Sequence, residues 1–246
     1  MSPATTLLEV DGLSKSFGGV LAVNGATFAV GDGTITGLIG PNGSGKTTLF
    51  NTVTGYLHAD AGIVRFAGER IRRPDPRRLY LQGLCRTFQQ ARVFPEMTLV
   101  ENLVVALAQP GWALGRRGIA RSDTERAEEL LQRFGLSGHA RHRAGELSFG
   151  QRKLLEFATV LMGRPRLVLL DEPASGVNPV MVQQMERHIR DAHADGVTFL
   201  VVEHDLNLVM RLCDPIIVMD HGAKIAEGHP DEIRENPLVL DAYLGV

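Results

Sequence analysis

Short runs of β-branched and other apolar residues recur along the chain, separated by stretches with helical periodicity. They fall at Leu7 to Val10, Thr34 to Ile39, Ile63 to Phe66, Val168 to Leu170, Phe199 to Val202 and Ile216 to Met219. Strands that alternate with helices predict an α/β core built on a mostly parallel sheet. The first 30 residues differ, with alternating apolar positions around the turn signals Gly18-Gly19 and Gly31-Asp32-Gly33. They predict an antiparallel β subdomain on one flank. From about residue 96 to 164 the strand pattern gives way to helical periodicity, including a helix over Ser122 to Phe134 with Asp123 and Glu125 near its start. A single domain spanning 1–246 with an inserted helical lobe is expected. Gln109 to Ser122 is glycine-rich and basic and is expected to be a surface loop without an assigned role.

Composition narrows the class. The chain has 246 residues, 44% of them hydrophobic and 22% charged, which suits a globular core. Its 26 basic and 28 acidic residues give a net charge of −2, so no strong field draws it to nucleic acid or anionic lipid. The opening MSPATTLLEVDG lacks the features of a secretory signal, and no apolar run approaches the ~20 residues of a bilayer span. A cytosolic protein is expected, with Cys85 and Cys213 as unpaired thiols.

The chemistry is carried first by Gly40-Pro41-Asn42-Gly43-Ser44-Gly45-Lys46-Thr47, which fits G-x-x-x-x-G-K-[ST] between a strand ending at Ile39 and a helix over Lys46 to Val53. This composition yields on the order of 0.004 chance matches, before the flanking elements are required. Backbone N–H groups of such a loop surround phosphate oxygens, and the helix N-terminus adds its dipole. Lys46 is placed to reach the β- and γ-phosphates of ATP, and Thr47 to offer its hydroxyl to Mg²⁺, with Thr48 following in the same turn.

A second landmark is the apolar run ending in Asp171-Glu172-Pro173. Ionised carboxylates belong at the open C-terminal edge of such a strand, where α/β sheets bind ligands. Asp171 suits the Mg²⁺ shell, and Glu172 can accept a proton from the water attacking the γ-phosphate. On a continuing strand Glu172 would face the opposite side from Asp171.

With both landmarks in place the sequence resembles the ABC ATPase family over nearly its whole length. Leu147-Ser148-Phe149-Gly150-Gln151 is similar to the signature usually written LSGGQ, with Phe149 in place of its first glycine and Ser148 as a helix N-cap. The resemblance implies that Gln89 is the Q-loop glutamine that contacts metal or attacking water, with Gln90 as the alternative register, and that His204 is the switch histidine at the γ-phosphate. Phe17 corresponds to the aromatic that stacks on adenine, a position equally open to a core phenylalanine. Ser175-Gly176-Val177-Asn178 occupies the D-loop, with Asn178 where many members have Asp.

The resemblance further implies a dimer of two cassettes, each sealing the other's ATP with its signature. It also implies separate polytopic permease subunits, indirect service to a solute-binding protein, and a peripheral position on the cytoplasmic face of the membrane. Ser16-Phe17-Gly18-Gly19, Arg86-Thr87-Phe88-Gln89, Gly176-Val177-Asn178-Pro179, Glu203-His204-Asp205 and Asp241-Ala242-Tyr243-Leu244-Gly245 resemble the branched-chain amino acid importer branch. Urea and short-amide importers share much of this pattern. A soluble, non-transport ABC ATPase is the reading from another class; such proteins carry two cassettes or a long coiled-coil insertion.

Overall fold

The computed structural model describes residues 5–71, 74–89, 91–107 and 120–244. Gln90, most of the Gln109 to Ser122 loop, and Gly245 lie outside the described residues.

Two sheets form the frame. The smaller is antiparallel, in the order β2 (Val20–Gly31), β1 (Thr6–Phe17), β4 (Ala61–Phe66) and β5 (Glu69–Arg70). In the larger sheet, β9 (Ile216–Asp220), β3 (Ile35–Ile39), β8 (Thr198–Val202), β7 (Leu167–Asp171) and β6 (Leu84–Arg86) run parallel. The strand β10 (Ala223–Gly228) closes one edge of it, antiparallel to β9. The expected mostly parallel sheet and flanking antiparallel sheet are thus both present. The apolar runs mark the strand centres, and β1 extends well beyond Leu7 to Val10.

The parallel strands have no polar face because both sides are covered. Leu167 and Leu169 of β7 join a buried cluster with β1, β2 and the helix α1 (Lys46–Val53). Val168 and Leu170 point the other way, into a cluster under the helices. Those helices are α3 (Leu99–Val105), α4 (Arg121–Arg133), α5 (Phe149–Met162), α6 (Pro179–Ala194) and α7 (Leu206–Leu212); α2 (Pro76–Leu81) lies just before β6. The helix expected over Ser122 to Phe134 is α4, one residue earlier at each end. Two short helices close the chain, α8 (Pro230–Glu235) and α9 (Pro237–Leu244).

This layering brings four strand ends to one edge. β3 leads into residues 40–45, β6 into Thr87 to Gln89, β7 into Glu172, and β8 into Glu203 and His204.

Candidate functional site

The loop after β3 is shaped by close backbone approach. Gly40 has φ 151° and its missing Cβ would lie 2.0 Å from the Met219 carbonyl oxygen; Gly45 has φ 97°, with Ala22 O 2.2 Å from the same point. A side chain fits at neither position, which is why this turn needs glycine. Ser44 is buried, and its N–H donates to Pro41 O at 3.2 Å. Gly45 ends the loop in the left-handed region and no side chain caps α1, so the helix N-terminus opens onto the site. Asn42, Gly43 and Thr47 are exposed there and Thr48 is half-buried. Lys46 curls back, donating to Gly40 O at 2.7 Å, Pro41 O at 2.9 Å and Ser44 Oγ at 3.2 Å. Burial pushes its pKa down, while the nearby Glu172 and Asp171 carboxylates push it back up.

Asp171 departs from a simple solvated strand end. It is buried, and its Oδ2 accepts from Arg86 Nη2 at 2.6 Å, both side chains being more than nine-tenths buried. The alternation of β6 and β7 explains the pair: Arg86 lies beside Leu169 in register and on the same sheet face as Asp171, next to the α1 layer. The guanidinium also donates to Asn51 Oδ1 at 2.6 Å and sits against the rings of Phe50, Tyr56 and Phe88. A buried carboxylate is thereby paired and hydrogen-bonded. The Asp171 N–H donates to Thr87 Oγ1 at 3.2 Å.

β7 ends at Asp171, so Glu172 does not occupy the opposite strand face. It sits at φ 49°, a left-handed conformation that costs a residue with a side chain about 1–3 kcal/mol. From that turn its carboxylate meets two of the sequence-selected residues. Gln89 Nε2 donates to Glu172 Oε2 at 2.9 Å, and His204 Nδ1 lies 4.0 Å from the same oxygen. His204 is exposed, and its backbone N–H donates to Glu203 Oε2 at 3.1 Å. Glu203 is fully buried, and its other oxygen accepts from Ala174 N–H at 2.7 Å. It ties the β8 end to the segment that follows Glu172.

The signature segment begins on the chain's surface, with Ser148 and Phe149 exposed. Ser148 caps α5 in a capping box, accepting from Gln151 N–H at 3.3 Å while its own N–H donates to Gln151 Oε1 at 2.9 Å. Phe149 is 41% exposed, and its ring packs against Gly176, where a Cβ would meet it at 3.2 Å. Gly150 packs on Met181 of α6. Ser175, Gly176, Val177 and Asn178 form the turn between Glu172 and α6, and Asn178 caps α6 by accepting from Met181 N–H at 2.9 Å. Phe17 is 46% exposed at the end of β1, with the Lys15 ammonium 5.5 Å from its ring centre, so it is not a core residue.

The sequence reading quoted Arg86 and Glu203 only as motif neighbours without a role, and it did not single out two ionisable residues of α5, Lys153 and Glu156. All four side chains are more than nine-tenths buried. The available signal was a charge set inside an apolar run, as in Lys153-Leu154-Leu155-Glu156-Phe157.

The oxygen donors Thr47, Asp171 and Gln89 suit a hard divalent cation such as Mg²⁺. Asp171 keeps Oδ1 outside its pair with Arg86. The residues therefore fit the ion.

The sequence profile of the family described as "ABC transporter" matches residues 23–175. The chain belongs to that family. A second profile, "Branched-chain amino acid ATP-binding cassette transporter", matches residues 223–246 of this ABC chain. The chain is 42% identical over 249 residues to the high-affinity branched-chain amino acid transport ATP-binding protein BraF of Pseudomonas aeruginosa, covering 97% of this chain and 98% of the relative. It is 39% identical over 251 residues to the corresponding LivG protein of Salmonella typhimurium, with the same coverage. Among solved structures, the ADP conformation of an ATP-binding cassette of an ABC transporter superposes with a TM-score of 0.87 at 36% identity, covering 98% of this chain and 100% of the other. The resemblance read from the motifs and the P-loop α/β architecture both hold, and the chain is an ABC ATPase of the nucleotide-binding kind.

Proposed function

We propose that this chain is the ATP-hydrolysing subunit of an importer for branched-chain amino acids. The supporting observation is the meeting of Gln89, Glu172 and His204 beside Lys46 and the glycine loop at one sheet edge, in a chain whose last 24 residues match the branched-chain amino acid profile.

In this reading the phosphates of ATP lie in the loop Gly40 to Thr48, held by its free backbone N–H groups, to which Pro41 adds none. Lys46 exchanges its loop carbonyls for the β- and γ-phosphate oxygens. Phe17, exposed at the end of β1, stacks on adenine. Thr47, Asp171 and Gln89 hold Mg²⁺, which would supply charge neutralisation at the phosphate oxygens. Glu172 Oε2 takes the proton from the attacking water, Gln89 orients that carboxylate, and His204 donates to the γ-phosphate.

The single domain 1–246 works as half of a pair. A second cassette, identical or related, contributes its own Ser148-Phe149-Gly150-Gln151 equivalent to seal the nucleotide, and the D-loop Ser175 to Asn178 lies at the joint. The helical lobe at 96–164 and Gln89 face polytopic permease subunits, and a solute-binding protein delivers the amino acid to them. No helix among the described residues is long and apolar enough to cross a membrane. In this reading the chain sits at the cytoplasmic face as a peripheral subunit, held there by its permease partners.

The test is a pull-down of the tagged chain from detergent-solubilised membranes, followed by leucine, urea and acetamide uptake in cells lacking the gene. Recovery of permeases and a second cassette, with loss of leucine uptake alone, is the expected result. Loss of urea or amide uptake instead would reassign the solute, and recovery of ribosomes or nucleic acid would overturn the transporter assignment.

A further inference from the structure

The helix α5 carries the signature at its first turn and two buried ionisable side chains further along the same side, at Lys153 and Glu156, spaced i, i+3. They form no ion pair with each other among the described residues. Each is spent on backbone. Lys153 Nζ donates to the carbonyl of Glu172 at 2.8 Å and to that of Pro173 at 3.4 Å. Glu156 Oε1 accepts from the N–H groups of Phe88 and Arg92, both at 3.2 Å, which bracket Gln89.

Filling these positions with Met and Leu would avoid the cost of burying polar, ionisable groups, so space-filling alone does not account for them. Their partners are also particular. The peptide of Glu172 is fixed from both sides, its N–H donating to Val202 O at 2.9 Å and its carbonyl accepting from Lys153 and from Ser175 N–H at 3.1 Å. Because Glu172 sits at φ 49°, an unfavourable conformation, its carboxylate direction depends on those ties. Gln89 reaches Glu172 from the segment that Glu156 holds.

We propose that Lys153 and Glu156 are positioning residues that lock the signature helix to both members of the Gln89–Glu172 pair in the same chain. This rests on the functional reading above. A shift of α5, as its signature closes on the nucleotide of a partner cassette, then moves Glu172 through Lys153 and Gln89 through Glu156. The two ATP sites of a dimer are coupled through one rigid helix.

The test compares the full chain with K153M, K153R, E156L and E156Q. Arg keeps a donor, and Gln keeps the acceptor oxygen without the charge. All four are expected to bind ATP within about twofold of the parent, because none touches the phosphate loop. K153M and E156L lose at least tenfold in kcat, and K153R and E156Q recover to within about threefold of the parent. Amide exchange at Phe88 and Arg92 accelerates in E156L and stays slow in E156Q, a readout independent of turnover. The proposal is overturned if K153M and E156L keep kcat within twofold, or if exchange at Phe88 and Arg92 is unchanged in E156L. Failure of the parent chain to bind ATP would refute the ATPase reading instead, and the exchange measurement would still decide whether Glu156 holds the segment.

Discussion

Gln89 Nε2 donates to Glu172 Oε2 at 2.9 Å across 83 residues of sequence. The bond aims a carboxylate that sits on a strained turn just past the end of β7. A carboxylate in this position accepts a proton; a carboxamide of the same shape does not. Glu172→Gln is expected to retain ATP binding and lose about 10²–10⁴ in kcat, the range for removal of one general base. Nucleotide titration beside steady-state hydrolysis decides it, and near-normal turnover removes Glu172 from the role.

Lys46 makes three hydrogen bonds inside its own loop and must exchange them for phosphate oxygens. Lys46→Ala removes a buried cation whose replacement bonds would be charge-assisted, each worth about 1.5–3 kcal/mol. ATP affinity is expected to fall about 10- to 100-fold, as measured by equilibrium nucleotide titration. Unchanged affinity would mean that phosphates do not bind at this loop.

Much of this site was legible in the sequence because its parts are local. The glycine loop and α1, with bounds Lys46–Val53 as read, need only short-range steric arguments. The same holds for Ser148 as an N-cap. Arg86 was not legible: β6 is three residues long, and nothing local marks its arginine as the partner of Asp171, 85 positions away. Lys153 and Glu156 were hidden for a related reason. Periodicity assigns charges on an amphipathic helix to solvent; the apolar residues around these two were the one local sign, and contacts with Phe88, Arg92 and the residues after β7 show what turns them inward. Phe17, open to two readings in sequence, proves exposed because β1 ends at the sheet margin.

Both cysteines are buried, and burial pushes each thiol up to about 12. The thiolate is the reactive form, so neither is available near neutral pH. Native protein is expected to resist iodoacetamide at pH 8 over a time in which urea-unfolded protein labels at both positions. Mass spectrometry of the two digests checks this, and rapid native labelling at Cys85 or Cys213 would contradict the burial.

Glu156 supplies a pH dependence of stability with a definite sign. Burial raises its carboxyl from the ordinary 4.5 to about 7, against the opposing pull of the Phe88 and Arg92 amides and the Lys153 and Arg92 charges. Between those values the folded chain holds a proton that the unfolded chain has released. Its contribution is therefore fully present below about pH 4.5 and is lost as pH rises through about 7. At 1.36 kcal/mol per unit, the loss amounts to at most about 3 kcal/mol. Glu156→Gln keeps the acceptor and removes the proton, so this component of the slope vanishes. Urea denaturation of parent and variant at pH 5 and pH 8 should show the stability difference moving in favour of the Gln variant at the higher pH. A difference independent of pH would mean that the Glu156 carboxyl titrates as in water, which a side chain 6% exposed on the buried face of the signature helix should not do.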